Sequence, residues 1–424
     1  MRICGIKLTH DGAIALVEDG RLVFCIEQEK RDNNPRYQTV DNLDAIVAAL
    51  AQYGLNPRDI DQFVIDGWDG EDESQFQVLS GVAPLTLKGA PYVERHADGL
   101  LESLDGSGLI LDDRAFPYKS YPHVTGHVAS AYCTSPFANT GQPAFCLVWD
   151  GCIFPRLYYV DGRGARFLEC LFPVIGQAYA AAGHYFGPYK KASRGGWDLG
   201  VAGKLMAYIA LGSVDEDIVA VFQELYEEHF AADTELASRY RANITDAESS
   251  LAAVHDFFEA SVMRLETKAP EDVLASFHLF LERLLVREMI NAVRRHSFPG
   301  PQNLCIAGGC GLNIKWNSAL RETGCSMPSG YRHFRMTAAR QSVPLAAQWW
   351  SSKASCPWNG RSIAARPCRL GVCRRDGRPS CAACRNLPPS SPATSPWFSF
   401  PGPPSSGLGR WEAEAFWQPR PRRK

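Results

Sequence analysis

The chain has 424 residues and a formal net charge of −2 at pH 7, with 46% hydrophobic residues. This length suffices for two or three ordinary domains and a sizeable core. No stretch approaches the roughly 18 consecutive apolar residues that a membrane span needs, and His10 and Asp11 interrupt the N-terminus before a signal-peptide core accumulates. We therefore expect a cytoplasmic protein without a transmembrane segment. The scattered cysteines before residue 324 are typical of buried thiols in a reducing compartment.

Charge is distributed unevenly along the chain. Residues 326–424 hold 16 Lys and Arg against 3 Asp and Glu, with half of the 28 prolines and 6 of the 10 tryptophans. A basic tail favours nucleic acid or an acidic membrane surface as partner, but a solvated basic tail seldom uses tryptophan. The sequence therefore predicts a boundary near residue 324, and its two sides have to be interpreted separately.

Two regions of the chain share one layout. Within residues 2–27, short apolar segments are joined by Asp-Gly turns, which indicates three strands in hairpins. The same order recurs within residues 144–170. Helical spacing at 40–53 and 271–296 predicts helices, and the apolar segment 61–66 predicts a further strand. We therefore expect an α/β fold of two related halves with a cleft between them.

Two histidines stand four residues apart at the start of a predicted helix. In SYPHVTGHVASAYC, residues 120–133, Pro122 suits the first helical turn, so His123 and His127 share one face. Two imidazoles at this spacing can bind one divalent transition metal, with further ligands from elsewhere. The alternative is one buried, hydrogen-bonded histidine and one exposed histidine, so the spacing alone gives a hypothesis.

Other residues are candidates for binding a phosphate or an acceptor. Asp11 and Asp150 occupy equivalent turns, where a carboxylate can flank a phosphate and its metal or an acceptor hydroxyl, although Asp-Gly is also a preferred hairpin turn. Gly308 and Gly309 lie where a strand turns into a helix, which suits a nucleotide phosphate and equally suits tight packing. Lys204 opens an apolar run and, taken alone, is typical of a solvated side chain.

Together these segments are similar to one family. HDGAIALVEDGRLVF, EQEK, HVTGHVASAY, VWDG, GKLMA and AGGCGLNIKWN follow in this order, and the sequence resembles the O-carbamoyltransferases of the nodulation and antibiotic-tailoring type. The rhizobial nodulation protein U group is the nearer, and the cephem carbamoyltransferases are further off. The resemblance covers residues 1–324. It implies a domain like that of tRNA threonylcarbamoyl transferases, on the two-lobed actin and Hsp70-like fold, with halves of about 1–140 and 141–324.

The resemblance also implies a reaction and roles for residues. Such enzymes make carbamoyl-adenylate from carbamoyl phosphate and ATP, and pass the carbamoyl group to a hydroxyl; in a nodulation-type member the acceptor is a lipo-chitooligosaccharide. His123 and His127 would bind a divalent metal, iron, which polarises the carbamoyl oxygen. His10 and Asp11 would face the acceptor hydroxyl. The residues expected to bind the nucleotide are Asp150, Lys204, Gly308, Gly309 and Asn313.

The family pattern stops at residue 324. Such enzymes continue to a motif close to Asn-Asp-Ser-Gly, whose aspartate is a further metal ligand, whereas this sequence shows RHFRMTAARQ at 332–341. Met336 and Thr337 must be encoded ATG-ACN, so a shifted frame reads GAC, which is aspartate. We therefore predict a frameshift near residues 323–326 and an out-of-frame, disordered tail at 325–424. The four cysteines of CRLGVCRRDGRPSCAAC resemble a zinc ribbon. If this segment is out of frame, we expect it not to form a zinc site.

Alternatives to the leading interpretation stay open. The acceptor could be an antibiotic-like small molecule, or a kinase or phosphatase of the same fold could transfer phosphate without carbamoyl phosphate. The basic tail could make the chain a nucleic-acid or zinc-binding interaction protein. The leading interpretation is a carbamoyltransferase that binds no nucleic acid. Its full-length relatives would carry a further C-terminal domain that makes the adenylate, so this truncated chain could be inactive.

Overall fold

The structure is a computed structural model. It describes residues 1–323 except 32–36, 71, 162, 232–234, 243–245, 297 and 299–302, together with the backbone of the strand Arg335–Ala338. The chain divides into two units, Met1–Arg366 and Pro367–Lys424, and every described residue lies in the first. Apart from that strand, the predicted tail at 325–424 and its four cysteines lie outside the described residues.

The first half of the chain forms a six-stranded sheet and a separate hairpin. Strands β1, β2 and β3 form an antiparallel meander; β4 then pairs in parallel with β1, and β8 pairs in parallel with β4. The order across the sheet is β3-β2-β1-β4-β8-β7, while β5 and β6 pair with each other. The strands are β1 (Arg2–Lys7), β2 (Ala13–Glu18), β3 (Arg21–Glu27), β4 (Gln62–Asp66), β5 (Ser74–Ser80), β6 (Ala83–Gly89), β7 (Leu104–Leu111) and β8 (Arg114–Tyr121).

The second half repeats this arrangement. Its sheet has the order β11-β10-β9-β12-β13, in which β9, β10 and β11 form an antiparallel meander and β12 and β13 add in parallel. The repeated order confirms the predicted two-lobed α/β fold with one hairpin sheet in each half. The strands are β9 (Ala144–Val148), β10 (Arg156–Asp161), β11 (Gly164–Cys170), β12 (Asn303–Ala307) and β13 (Arg335–Ala338).

Helices cover the sheets and join the halves. The helix predicted at 271–296 is present as Pro270–His296, with acidic residues in its first turn and basic residues in its last, which complements the helix dipole. The helices are α1 (Asp44–Ala51), α2 (His123–Cys133), α3 (Pro136–Asn139), α4 (Gln177–Tyr185), α5 (Val201–Tyr208), α6 (Glu216–Tyr226), α7 (Glu235–Arg241), α8 (Ala247–Arg264), α9 (Pro270–His296) and α10 (Ile314–Glu322). Among the described helices, none is long and apolar enough to cross a membrane.

Helix α2 lies in the interior, where the two halves meet. All of its residues are buried, and it packs against β9 and β12, whose residues are also all buried. One core cluster takes in residues from both halves, including Val64 of β4 and Val148 of β9. Because α2 is enclosed, a polar side chain on it is stable only when it has hydrogen-bonding or charged partners. The partners of its two histidines are therefore the first place to look for a functional site.

Candidate functional site

A large cavity lies between the two halves. Its volume is about 1960 Å³, and it is lined from the first half by Lys7, His10 and Trp68 and from the second by Asp150 and Asn313, among others. Small-molecule pockets usually measure roughly 300–1,000 Å³. The cavity therefore has room for more than one small ligand.

Three buried side chains converge beside this cavity. His123 and His127 lie one turn apart on α2, and their Nε2 atoms are 3.1 Å from each other. The Asp150 Oδ2 atom lies 3.5 Å from the first imidazole Nε2 and 3.4 Å from the second. Each side chain is at least nine-tenths buried, and the three ligand atoms lie within 4.8 Å of one another. Two imidazoles and one carboxylate are a donor set that suits zinc or iron, so these residues fit the predicted metal.

Asp66 orients the first histidine of the group. It is the last residue of β4, and its Oδ2 accepts a hydrogen bond from His123 Nδ1 at 2.8 Å. Burial alone would raise the pKa of Asp66, but His123 and the Lys7 ammonium, 3.6 Å away, hold that pKa below its ordinary value. The hydrogen bond to Asp66 fixes the orientation of the His123 ring, so that its Nε2 faces His127 and Asp150. A carboxylate behind a histidine is the usual support of a metal ligand.

Asp150 is fixed by bonds to both of its oxygens. Its Oδ1 accepts the backbone N–H of Gly309 at 2.6 Å, and its Oδ2 accepts the Tyr92 hydroxyl at 2.6 Å. Burial would raise its pKa, yet hydrogen bonds and charge from His123 and His127 hold that pKa well below the ordinary value. Asp150 is therefore a carboxylate at neutral pH, as a metal ligand must be.

The glycine loop after β12 approaches the turn that carries Asp150. Gly308 has φ +84°, and a Cβ there would stand 2.5 Å from the Trp149 carbonyl oxygen, so glycine is required for both conformation and space. Trp149 also stacks on Trp316 of α10 with ring centroids 5.1 Å apart. Close packing therefore explains why Gly308 is a glycine. The loop also lies on the cavity wall.

Two amide side chains on the cavity wall have donors without partners among the described residues. Asn313 caps α10, with its Oδ1 accepting the N–H groups of Lys315 and Trp316, which leaves its buried Nδ2 unpaired. Gln177, the first residue of α4, has a buried Nε2 that also lacks a hydrogen-bond partner among the described residues. An unpaired buried donor costs about 1–3 kcal/mol. Both residues line the cavity, so a ligand with acceptor oxygens would recover that cost.

His10 and Asp11 lie in the turn after β1 and also line the cavity. His10 Nδ1 is 2.9 Å from Asp11 Oδ2, and the Trp68 ring lies 4.9 Å from the His10 ring and 5.3 Å from the His123 ring, measured between centroids. One aromatic ring therefore separates the predicted acceptor-facing pair from the metal group. Asp11 has φ +54°, which aspartate tolerates better than most residues.

Lys204 is not brought together with the other predicted residues. It is exposed on α5, and its Nζ lies 5.4 Å from the Tyr189 ring centroid, outside the lining of the cavity. Its role in nucleotide binding stays a prediction. Sequence reasoning overlooked Asp66, Tyr92 and Gln177, because each sits outside a recognisable motif; the one local signal is that Asp66 ends a predicted strand.

The architecture and the site define a class of protein. The chain is a two-lobed α/β protein whose halves share one strand order, with a buried His-His-Asp group at the cleft. Residues 2–326 match the family Carbamoyltransferase N-terminus, and the chain belongs to that family.

Curated proteins and solved structures show what the chain is similar to. "Nodulation protein U" of Rhizobium tropici is 84% identical over 324 residues, which are 76% of this chain and 56% of that protein. The 3'-hydroxymethylcephem-O-carbamoyltransferase of Streptomyces clavuligerus is 27% identical over 332 residues, 76% of this chain and 55% of that one. The chain thus spans about half the length of the curated relatives it matches. Among solved structures, HypF of T. kodakarensis has 11% identity and a TM-score of 0.44, covering 84% of this chain and 48% of that one.

Proposed function

We propose that the protein is the amino-terminal part of an O-carbamoyltransferase. It moves a carbamoyl group from carbamoyl phosphate, through carbamoyl-adenylate, to a hydroxyl of a lipo-chitooligosaccharide nodulation factor. The observation that carries the proposal is the convergence of His123, His127 and Asp150 beside one large cavity, in a chain whose residues 2–326 belong to the carbamoyltransferase family.

The buried group serves as the metal centre in this proposal. When bound, a divalent metal, iron on the family's pattern, would polarise the carbamoyl oxygen as negative charge develops there. His123, His127 and Asp150 would hold it, with Asp66 fixing the ring of the first histidine and Tyr92 fixing the carboxylate. Burial keeps bulk water away from the group, which strengthens its electrostatic effect.

His10 would act on the acceptor. With Nδ1–H directed to the Asp11 carboxylate, Nε2 is free to accept the proton of the acceptor hydroxyl. The hydroxyl oxygen then forms a bond to the carbamoyl carbon, and the bond from that carbon to the adenylate phosphate oxygen breaks, so AMP leaves with the electron pair. Asp11 orients the imidazole through this contact.

The adenylate would occupy the wall formed by the glycine loop. The N–H of Gly309 is already bonded to Asp150, so this amide is not available to a phosphate. Asn313 Nδ2 and Gln177 Nε2 are two buried amide donors on the cavity wall that have no partner among the described residues. We therefore assign the hydrogen bonds of the nucleotide to these two amides, and not to the glycine backbone that the sequence pattern favoured.

We further infer that residues 325–424 are read out of frame. The family match ends at residue 326, where the basic and proline-rich composition begins. The strand Arg335–Ala338 lies parallel to β12, and parallel strands share one carboxyl edge, so a strand in this place would bring a further ligand toward the cleft. Sequencing the gene around codon 324 in the native strain tests this: an uninterrupted frame ending at Lys424 would refute it.

The transfer experiment uses a frame-restored protein. Carbon-labelled carbamoyl phosphate, ATP, Fe²⁺ and a lipo-chitooligosaccharide are incubated with the protein and with its His127→Ala variant. We expect label in the oligosaccharide only with the unsubstituted protein. Label that enters a hydroxymethylcephem and not the oligosaccharide would favour the antibiotic-type acceptor, for which the cephem relative is the supporting observation. Transfer of the ATP γ-phosphate to the acceptor would favour a kinase and contradict the proposal.

A further inference from the structure

A solvent-exposed tryptophan lies on the wall of the cavity. Trp197 is 48% exposed and Leu199, two residues on, is 39% exposed, and both line the cavity. Isolated exposed apolar residues are common and need no explanation. Two exposed apolar residues that both line a cavity differ from such isolated residues, because ligand sites combine apolar surface with a few placed polar groups.

The segment that carries this tryptophan is held in place. The Tyr37 hydroxyl, from the first half, donates to the Leu199 carbonyl oxygen at 2.9 Å. Asp198 accepts the Gly200 N–H at 3.0 Å through Oδ1 and the Lys191 ammonium at 3.2 Å through Oδ2. The indole of Trp197 is therefore presented at the cavity by a bonded segment, and its exposure does not come from an unanchored loop.

Polar groups line the same cavity as the tryptophan. Tyr37 and Glu27, which ends β3, both line it. The Glu27 side chain is 41% exposed, and its Oε2 lies 3.9 Å from the ammonium of Lys30, which lines the cavity too. A pyranose ring has an apolar face of C–H groups and an edge of hydroxyl groups, so a flat aromatic face in a cavity with polar side chains complements it.

The size of the cavity leaves space for such a ligand. At about 1960 Å³ it is roughly twice the upper range of ordinary ligand pockets. The reaction centre of the proposed function uses the wall that carries Asp150 and Asn313. The remaining volume can hold further sugar units of the acceptor, and Trp197 lies on the wall of the same cavity.

We propose that Trp197 is the stacking platform for a pyranose unit of the acceptor. Leu199 extends the apolar face, and Glu27 accepts hydrogen bonds from sugar hydroxyls. The identity of the sugar rests on the proposed function, whereas the platform itself rests on the exposure and anchoring of Trp197. The occupant is the oligosaccharide portion of the acceptor, and not its acyl chain.

The test is a calorimetric titration of the full chain with chitotetraose, a sugar that has no acyl chain. Trp197→Ala should weaken binding by about tenfold or more, which corresponds to about 1.4 kcal/mol, because the variant removes the apolar face on which the sugar ring lies. Trp197→Phe should retain affinity within about threefold, because it keeps an aromatic face. Leu211→Ala is the matched control, since Leu211 is 74% exposed and does not line the cavity.

Two results would overturn the platform: equal chitotetraose affinity in the unsubstituted chain and Trp197→Ala, or binding of a free fatty acid without binding of the sugar. Failure of the proposed function is separable from this. If the frame-restored enzyme transfers no carbamoyl group but chitotetraose binding still depends on Trp197, the platform stands and the transfer proposal falls.

Discussion

A buried ion pair joins the two halves, and its removal should be costly. Arg156 of β10 lies 2.5 Å through its Nη2 from Glu94 Oε1, and Tyr158 links the two by accepting from Arg156 Nε and donating to Glu94 Oε2. Arg156 is 2% exposed and Glu94 is 6% exposed. Taking away one partner leaves the other charge buried and unpaired, which costs about 3–5 kcal/mol.

The variants Glu94→Gln and Arg156→Met should therefore each lower the free energy of unfolding by about 3–5 kcal/mol. The double variant should recover about 1–3 kcal/mol of the summed cost, because no unpaired charge remains. Arg156 also covers the Phe167 ring at 4.0 Å, and methionine retains part of that packing.

The assay for this pair is urea unfolding, followed by tryptophan fluorescence and far-ultraviolet circular dichroism, whose coincidence supports a two-state treatment. Asp105→Asn is the control, because Asp105 pairs with Lys119 at the surface with its side chain 77% exposed, and such pairs contribute about 1 kcal/mol or less. The reasoning is refuted if either single variant costs no more than Asp105→Asn, or if the two single costs are strictly additive.

Three further predictions follow from the site and the core. Gly308→Ala should destabilise the protein by about 2 kcal/mol or more, because its φ is positive and an added Cβ would meet the backbone. The control Gly151→Ala has open space around its Cβ, so it should change the free energy of unfolding by no more than about 0.5 kcal/mol. Equal unfolding midpoints for the two variants would contradict this prediction. Asp66→Asn should weaken Co²⁺ binding by about 10–100-fold in calorimetry, and unchanged affinity would exclude its supporting role. Burial lowers the pKa of His278 from 6.5 to about 4, so the unfolded chain binds a proton that the folded chain does not. Stability should be complete above about pH 6.5 and should fall by about 3 kcal/mol as the pH drops to 4; His278→Gln should flatten this slope, and an unchanged slope in urea unfolding would refute the assignment.

The sequence predicted those strands and helices that have a clear local pattern of apolar residues, turns or charged ends. The strands β1 to β3 follow short apolar segments between Asp-Gly turns, and α9 follows a long helical period with charged ends. Within the predicted repeat at 144–170, the second strand begins at Arg156, because Pro155 has no N–H to donate to a ladder. Strands β5 to β8 were not predicted, and β6 and β7 contain Pro84, Gly106 and Gly108, which weaken a strand pattern.

The candidate site was predictable only in part. The spacing of His123 and His127 fixed their common face, because both lie on one helix. Their meeting with Asp150 and Asp66 depends on how the two sheets lie around α2, and no local period encodes contacts between residues 23 and 57 positions apart. Gly309 was predicted to face a phosphate, and its amide is bonded to Asp150, because the loop packs against the β9 turn. The division of the chain at residue 324 stays a prediction.

The central claim is that His123, His127 and Asp150 hold one divalent metal at the cleft, and metal binding by the chain tests it directly. The purified chain is titrated with Co²⁺ under anaerobic conditions, with visible absorption and elemental analysis as readouts, beside His127→Ala and the control His296→Ala, since His296 pairs with Glu169 and does not line the cavity. We predict one Co²⁺ per chain for the unsubstituted protein and for His296→Ala, and loss of binding in His127→Ala. Equal binding in all three proteins, or no binding by the unsubstituted chain, would contradict the account.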